Sequence, residues 1–496
     1  MELPDTHQAS RSSYRDIVRS SALIAGSTGF SVVMRIVRMK VIAVILGPSG
    51  IGLLGVFSSV TQLAETAVIL GVETTGVRSI ADAKGKDDRE AVARSTSILG
   101  KGTFWLGLIG SIVFLTLVFP ISRFTFGDDD RAGALAILSL TIFFGSICAG
   151  RRAVLQGLRR IADLAAMNMV SAFSGTVIGV ICIYFLGEQG IVPLLVAISA
   201  IAMLTAWWFS RKTRVASIEM TFAEVLRGME PLLKLGVVFM SSTLMSAAVA
   251  YLSRVFLIRQ FGMPEVGLYQ AASVLSMLYT GFVLQAMGAD FYPRLVAARD
   301  SNESNRLVNE QVEVGLLLAV PGVVATLTFS SLVINLFYSP AFLPAVEILR
   351  WQILGVLLQV AAWPLGYVLV AQGRSKLFFW SEFTTHGLHF LLIWMGVMAW
   401  GLVGTGIAYF LVYVFYIALI ATIVRGLTGF KWSPANVRLG MLIAPLTLLV
   451  FTMQWVLTGG MAMLIGCAVT AAVSGYSLRK FHSILGWDAL IKLSKT

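Results

Sequence analysis

Apolar runs of about 20 residues, the length that crosses a bilayer as a helix, recur along the whole chain. Of its 496 residues, 57% are hydrophobic and only 13% are charged, and the mean hydropathy is +0.82. Such a chain has too few polar side chains to cover the surface of a water-soluble globule. A helix satisfies every backbone amide within its own segment, as the bilayer core requires. The sequence therefore predicts an all-α polytopic membrane protein.

These runs predict about fourteen transmembrane helices. Basic residues lie in alternate connections between them, whereas the intervening connections contain only Arg123 and Arg131. By the positive-inside rule, this alternation predicts that both termini are cytoplasmic. The predicted spans are 17–45, 51–77, 95–119, 132–157, 163–186, 190–210, 232–261, 266–290, 311–337, 345–371, 376–399, 402–425, 438–457 and 461–478.

The two halves of the chain resemble each other in sequence. A slide of 215 positions aligns Gly47 with Gly262, and a slide of 216 aligns Gln156-Gly157 with Gln372-Gly373. A repeat of six helices preserves helix direction, so it implies two six-helix lobes related by a pseudo-two-fold axis along the membrane normal. The last two predicted helices then form an additional C-terminal pair.

A polar stretch separates the two halves. Within it, Phe222, Val225, Leu226 and Met229 fall at i, i+3, i+4 and i+7, which is typical of an interfacial amphipathic helix. The predicted organisation is a cytoplasmic segment 1–16, an N-terminal lobe 17–210, a linker 211–231, a C-terminal lobe 232–425, and an extra helix pair with a cytoplasmic tail 426–496.

Basic side chains lie within or beside predicted transmembrane helices, where a cation costs roughly 2.5–3.5 kcal/mol. Arg35 and Arg38 share one face of the first helix, and Arg254 occupies the matching part of the seventh. Two cationic groups across a cleft between the lobes suit a diphosphate, whose oxygens accept bidentate guanidinium hydrogen bonds. The alternative, strongest for Lys40 and Arg259, is that these side chains reach outward to lipid headgroups. The predicted substrate-binding residues are Arg35, Arg38, Lys40, Arg78, Arg254 and Arg259.

Acidic and histidine side chains in the predicted spans form a second set of candidates. A carboxylate in a low-dielectric span can take and release protons near neutral pH, which would couple transport to proton re-entry. The alternative is that these groups form structural ion pairs: Glu65 or Glu73 with a basic residue of the first two helices, and Glu382 with Lys376. The predicted ion-coupling residues are Glu65, Glu73, Asp290, Glu382 and His386.

Several other function classes lack the motifs that they need. The net charge of +12 is spread along short loops rather than gathered on one face, which argues against nucleic-acid binding. Cys148, Cys182 and Cys467 lie in apolar runs, so we predict neither a disulfide nor a metal site. The run Asp128-Asp129-Asp130 lies in a short connection and is typical of a solvated turn. There is no phosphate-binding glycine loop and no serine nucleophile elbow, so we predict neither an enzyme nor a cofactor.

The first helical hairpin and one turn of the chain resemble those of a known protein family. The segments Arg38-Met39-Lys40 and Leu46-Gly47-Pro48-Ser49-Gly50-Ile51-Gly52 resemble those of Wzx-type lipid-linked oligosaccharide flippases. These flippases belong to the multidrug/oligosaccharidyl-lipid/polysaccharide superfamily. The element Leu155-Gln156-Gly157 and its counterpart Gln372-Gly373 are similar to that family too. The resemblance extends over residues 17–425.

This resemblance implies a cationic cavity between two lobes and a substrate. Undecaprenyl-diphosphate-linked oligosaccharide would move from the cytoplasmic to the periplasmic leaflet of a bacterial inner membrane, for assembly of O-antigen or another surface polysaccharide. Arg35, Arg38 and Arg254 match the family's habit of placing basic residues in that cavity. By the same resemblance, helices over 438–478 border a groove for the lipid tail. A polymerase and a chain-length regulator of the same pathway are expected partners.

Two other functions stay open at this point. A cation-coupled multidrug exporter of the same superfamily would need an anionic cavity for cationic drugs, whereas these candidate residues are mainly basic. A polysaccharide polymerase or lipid-linked glycosyltransferase generally carries a long external catalytic loop, and the predicted external connections are short.

Overall fold

The structure is a computed structural model of the chain. It describes the backbone of residues 6–485 except 214, 217 and 458. Side chains are described from residue 23 onward, except at positions 24, 25, 234, 235, 237–239, 279, 282, 283, 285–290, 459, 484 and 485. Regular structure in this part of the chain is helical, without strands. The α-helices are α1 (Thr6–Ile69), α2 (Val72–Gly85), α3 (Arg89–Thr116), α4 (Val118–Phe126), α5 (Ala132–Gly157), α6 (Ile161–Leu186), α7 (Ile191–Arg211), α8 (Phe222–Phe261), α9 (Met263–Val296), α10 (Ser301–Thr328), α11 (Ser330–Phe337), α12 (Ala345–Ala371), α13 (Ser375–Trp400), α14 (Gly404–Thr428), α15 (Pro434–Val456) and α16 (Gly459–Leu485).

Ten segments of the described chain are long and apolar enough to cross a membrane. Three of them contain two helical parts each: Gly26–Ile69 is broken at Gly47, Ile161–Arg211 contains α6 and α7, and Ser375–Thr428 contains α13 and α14. Helix α9, with 34 residues, also has spanning length. The described helices therefore supply about fourteen spans, which confirms the predicted all-α polytopic fold.

Gly47 separates the two halves of α1. Its backbone has φ 65° and ψ −164°, a region that is essentially restricted to glycine. Pro48 follows at the start of the next helical part, where its missing amide proton costs no hydrogen bond. Gly262, between α8 and α9, has the related angles φ 110° and ψ −175°. These two glycines are the pair that the slide of 215 aligns, so the backbone break repeats where the sequence predicts it.

Further backbone features repeat between the halves. Asp88 and Asp300 each accept a hydrogen bond from the amide of the third helical residue and thereby cap α3 and α10. Gly187 has φ 56° and ψ −132°, and Gly401 has φ 58° and ψ −145°; each lies at the start of a short 3-10 turn. The matching order of breaks, caps and turns confirms an internal repeat.

The turn after α5 corrects one of the predicted alignments. The Arg160 amide donates to the Leu155 carbonyl there, and the Arg374 amide donates to the Leu369 carbonyl after α12. Leu155 and Leu369 lie 214 positions apart, so the structural match differs from the predicted slide of 216. A slide of 216 positions aligns identical residue types, whereas a slide of 214 positions aligns the equivalent backbone hydrogen bonds of the two turns.

Contacts divide the chain into two compact units, residues 1–264 and 265–496. Helix α8 packs against α1, α2, α3 and α4 and therefore belongs to the first unit, although it is the counterpart of the first half of α1 in the repeat. The predicted lobe boundaries, 17–210 and 232–425, stay a prediction.

The predicted amphipathic segment forms the first turns of α8. Thr221 and Glu224 make a capping box, in which each side chain bonds to the backbone amide of the other residue. Val225 and Met229 are buried against α2, α3 and α5, whereas Leu226 on the predicted apolar face is exposed. The segment is continuous with the seventh predicted span because no helix-ending turn separates them.

Replacement of Gly47 by alanine tests whether this backbone break is a requirement of the fold. A Cβ atom at this position would have no neighbouring atom within 4 Å, so only the backbone angles disfavour alanine, at a cost of about 1–3 kcal/mol. We expect a lower thermal unfolding midpoint for the purified Gly47→Ala protein in detergent. Gly426→Ala is the matched control, because Gly426 is exposed within α14 and has open space around it. Equal midpoints for both variants would contradict this role of Gly47.

Candidate functional site

Arg38 lies between α1 and α6 in the first unit. Its half-buried side chain runs along Gly175 and Gly179, which are four residues apart on one face of α6. A Cβ atom on Gly179 would lie 3.2 Å from Arg38 Cδ, and one on Gly175 would lie 3.6 Å from Arg38 Nη1. The two glycines therefore leave a groove that holds the arginine stem.

Hydrogen bonds fix α1 against α6 beside this groove. The Thr176 hydroxyl donates to the Met34 carbonyl at 3.1 Å, and the Ser31 hydroxyl lies 3.5 Å from the Asn168 carbonyl. Such hydroxyl bonds between helices, together with small residues, are the usual means of close helix packing in membranes. These hydrogen bonds hold α1 against α6 and so position Arg38, and the Arg38 guanidinium takes part in neither of them.

Arg38 has no partner for its charge among the side chains that the structure describes. No hydrogen bond or salt bridge to the guanidinium is present there, and the charge that acts on it is the like charge of Arg35 on the same helix. Arg35 is exposed and likewise has no ion-pair partner among the described residues. The pair is thus a concentration of positive charge on a predicted membrane-spanning helix.

Arg254 lies on α8, which packs against α1. Its side chain is 8% exposed, and its Nη1 donates to the Ala250 carbonyl at 2.6 Å. Lys40, near the end of the first part of α1, is half-buried. All three arginines of the predicted diphosphate site, Arg35, Arg38 and Arg254, therefore belong to the first unit.

Arg259 and Arg78 have protein partners. The Arg259 Nη2 donates to the carbonyls of Arg123, at 3.2 Å, and Phe124, at 2.5 Å, and its guanidinium lies 5.5 Å from the centroid of the Phe124 ring. It therefore satisfies carbonyl groups at the end of α4. Arg78 lies 4.0 Å from Asp82 on the exposed face of α2, a pair that contributes little to stability.

The carboxylates of the first unit have different surroundings. Glu73 lies 3.6 Å from Arg152 of α5 and forms an ion pair with it. The alternative interpretation predicted an ion pair with a basic residue of the first two predicted helices, so the predicted partner is wrong. Glu65 is half-buried, and its carboxylate lies against Gly145 of α5. The Asp290 side chain lies outside the described residues. Arg152 was not predicted as a site residue, because Arg151-Arg152 lies near the predicted end of a helix, where basic residues are common.

Glu382 is at the centre of a polar cluster in the second unit. Its carboxylate lies 3.6 Å from His386 Nε2, one helical turn away on α13, and accepts a hydrogen bond of 3.1 Å from the Tyr416 hydroxyl of α14. The predicted alternative partner, Lys376, does not form this ion pair. The structure thus brings together two of the predicted ion-coupling residues.

Three tyrosines extend this cluster along α14, and none of them was predicted from the sequence. Tyr409, Tyr413 and Tyr416 have ring centroids 4.9 Å and 6.3 Å apart in succession. The Tyr409 hydroxyl donates to Gln359 Oε1 at 2.9 Å, and the Thr280 hydroxyl lies 3.1 Å from the same oxygen. The spacing of the tyrosines at i, i+4 and i+7 is the signal that could have revealed a polar stripe.

The acidic run on the α4–α5 connection is tied by local hydrogen bonds. Arg123 donates from Nε and Nη2 to the two carboxylate oxygens of Asp129, at 2.8 Å and 2.7 Å, and this hydrogen bonding lowers the pKa of Asp129. Asp128 accepts from the Asp130 amide at 3.1 Å. Within the described part of the chain, no group of three or more acidic, histidine or cysteine side chains could hold a metal ion.

Known proteins with a similar fold are membrane transporters. The structure of the lipid II flippase MurJ in an inward closed conformation matches with a TM-score of 0.72 over 92% of this chain and 99% of that chain, at 14% identity. A multidrug resistance MATE family transporter of the MOP superfamily, in an inward-facing conformation, matches with a TM-score of 0.68, at 16% identity, over 80% of this chain and 95% of that chain. At these identities the likeness concerns the fold alone.

Sequence comparisons give the family. A lipid III flippase of Escherichia coli (strain K12) is 25% identical over 415 residues, which cover 81% of this chain and 97% of that protein. A putative O-antigen transporter of Shigella flexneri is 21% identical over 378 residues, which cover 73% of this chain and 87% of that protein. These relatives confirm the resemblance to Wzx-type lipid-linked oligosaccharide flippases. The polysaccharide biosynthesis protein family matches residues 17–299, more than half of the sequence, and the chain belongs to that family.

Proposed function

We propose that the protein is a flippase that carries undecaprenyl-diphosphate-linked oligosaccharide from the cytoplasmic to the periplasmic leaflet of a bacterial inner membrane. The names of its relatives, a lipid III flippase and an O-antigen transporter, support a lipid-linked glycan as the substrate. The product would serve assembly of a surface polysaccharide, together with a polymerase and a chain-length regulator. By the positive-inside rule, both termini of the protein face the cytoplasm.

The observation that carries this proposal is the Arg38 guanidinium between α1 and α6, which pairs with no side chain that the structure describes. A cation in a membrane-spanning helix is costly, by roughly 2.5–3.5 kcal/mol, unless water, protein or an anion stabilises it. Arg38 is held along its stem by a glycine groove, and its charged end has no described partner. A diphosphate offers several acceptor oxygens to guanidinium forks and would offset this cost.

Arg35 and Arg254 would complete the headgroup site. Arg35 lies one helical turn from Arg38 and adds a second positive charge on the same face of α1. Arg254 lies on α8, which packs against α1, and its buried position gives it a low-dielectric environment in which charge interactions are strong. In this mechanism the arginines hold the diphosphate, while the isoprenoid tail stays in the lipid and the sugar crosses through the protein.

The Glu382–His386 pair would couple this movement to protons. Both side chains are titratable, they lie 3.6 Å apart, and the Tyr416 hydroxyl orients the carboxylate. A proton arriving at this pair would change its charge, and a change of charge at a buried site favours a different conformation. Glu65, Glu73 and Asp290 stay predicted contributors to coupling, and Lys40 stays a predicted contributor to headgroup binding.

Substitution of Arg38 tests the headgroup site. Arg38→Gln removes the charge but keeps hydrogen-bonding capacity, and loss of charge-assisted bonds worth about 1.5–3 kcal/mol corresponds to a loss of export of about tenfold or more. Arg38→Lys should retain part of the activity because it keeps the charge. The measurement is complementation of a flippase-deletion strain, normalised to the amount of protein in the membrane.

Arg89→Gln is the control for this experiment, because Arg89 is an exposed arginine at the start of α3 and is not one of the predicted substrate-binding residues. It should complement as the unchanged protein does. Full complementation by Arg38→Gln would remove Arg38 from the headgroup site. Sensitivity of the deletion strain to cationic dyes, relieved by this protein, would instead favour the multidrug-exporter alternative.

Substitution of Glu382 tests proton coupling separately. In inverted membrane vesicles, a pH gradient across the membrane should accelerate the movement of the lipid-linked oligosaccharide from one leaflet to the other by the unchanged protein at least several-fold. Glu382→Gln should abolish this acceleration, because the glutamine side-chain amide, unlike a carboxylate, does not take up and release a proton. Tyr416→Phe, which removes only the hydroxyl that binds Glu382, should reduce the acceleration less. The coupling role fails if Glu382→Gln responds to the gradient as strongly as the unchanged protein.

A further inference from the structure

A cationic cavity lies within the first unit, apart from the Arg38 groove. It has a volume of about 520 Å³ and is lined by residues of α3, α5, α7 and the chain that follows α7. Lys101, Arg151 and Arg211 come from three different helices to line it, together with hydroxyl groups such as those of Ser97 and Ser210. Among the described residues that line the cavity, none carries a carboxylate. It is therefore a concave site with positive charge and neutral hydrogen-bonding groups.

The charges of these three residues are not neutralised within the part of the chain that the structure describes. Lys101 Nζ donates to the backbone carbonyls of Ile218, at 3.4 Å, and Met220, at 3.3 Å, both long distances. The Arg211 guanidinium lies 3.9 Å from the centroid of the Trp207 ring. None of the three cations forms a salt bridge with a described carboxylate.

Arg151 is the least satisfied member of the set. Its Nε is inaccessible to solvent, and no described residue accepts a hydrogen bond from it. A buried donor without an acceptor is destabilising, and native proteins usually supply a water or a ligand to such a group. Arg151 lines the cavity together with two further cations, so an anion with several acceptor oxygens suits the combined positive charge there.

Exposed aromatic side chains lie beside the cavity and indicate where the ligand comes from. Phe104 and Trp105 line the cavity and are 41% and 39% exposed, and Trp207 and Trp208 on α7 are 37% and 61% exposed. Tryptophan rings exposed at helix ends are typical of the headgroup level of a bilayer. The positive-inside rule places this end of α3, α5 and α7 at the cytoplasmic leaflet, where anionic lipids attract basic pockets.

We propose that this cavity binds the phosphate headgroup of an anionic membrane phospholipid. Arg151 would donate to the phosphate oxygens, Lys101 and Arg211 would neutralise the charge, and the aromatic side chains would contact the acyl chains. Lys101 also contacts the chain between α7 and α8 through the Ile218 and Met220 carbonyls, so a bound lipid would stabilise that connection. This proposal does not depend on the identity of the transported substrate.

Lipid titration of the purified full-length protein tests the proposal. In neutral detergent, phosphatidylglycerol should raise the thermal unfolding midpoint in a saturable manner, and phosphatidylcholine at the same concentrations should not. Arg151→Gln and Lys101→Gln should each raise the apparent dissociation constant for phosphatidylglycerol at least about tenfold, as expected for one lost charge-assisted contact. Lys86→Gln is the matched control, because Lys86 is an exposed lysine outside the cavity, and it should leave the constant unchanged.

A second arm distinguishes a lipid from a soluble anion. Inorganic phosphate in place of lipid should give no comparable stabilisation, and an equal rise of the midpoint would overturn the assignment of the ligand as a lipid. Equal stabilisation by phosphatidylglycerol and phosphatidylcholine, or an unchanged constant in both cavity variants, would overturn the site itself. If Arg151→Gln does not fold, Lys101→Gln decides the outcome, because the hydrogen bonds of Lys101 to described residues are long contacts with backbone carbonyls.

Discussion

The cost of holding a charge inside a membrane-spanning helix governs how this protein arranges its polar side chains. In water an ion pair contributes little to stability, but in hydrocarbon a charge without a partner is expensive. Arg350 illustrates the structural solution: it is 8% exposed and bonds to Glu347, Ser330 and Gln454 within its own unit. Arg38 has no such partners among the described side chains. The contrast between these arginines is the physical basis for placing a ligand at one and not at the other.

The two halves of the chain share backbone features, but their polar side chains differ. Gly47 and Gly262 break their helices in the same way, and Asp88 and Asp300 cap equivalent helices. The first unit nevertheless contains Arg38, whose charge no described carboxylate balances. The second contains the Glu382 carboxylate, which lies beside His386 and accepts a hydrogen bond from Tyr416 at the end of a row of tyrosines. This difference in side chains underlies the proposed division of roles, in which the first half binds an anionic headgroup and the second responds to protons.

Much of the fold could be predicted because it depends on patterns local in sequence. Apolar runs give the spans: the predicted spans 132–157 and 345–371 coincide with α5 and α12. The Gly47 break follows from the Gly-Pro sequence. Partners distant in sequence could not be predicted in this way. Glu73 pairs with Arg152, 79 positions away, and the carbonyls that Arg259 satisfies belong to a helix more than a hundred positions earlier.

The sequence by itself determined that the chain crosses a membrane many times as helices, that its halves repeat, and that several cations lie in its spans. Hydropathy and backbone angles are properties of short segments, so they can be read directly from neighbouring residues. Only the tertiary structure decided which of those cations has a partner. Packing brings Gly175 and Gly179 against Arg38, and it brings Lys101, Arg151 and Arg211 to one cavity. The stability of a charge depends on every group around it, and those groups come from distant parts of the chain.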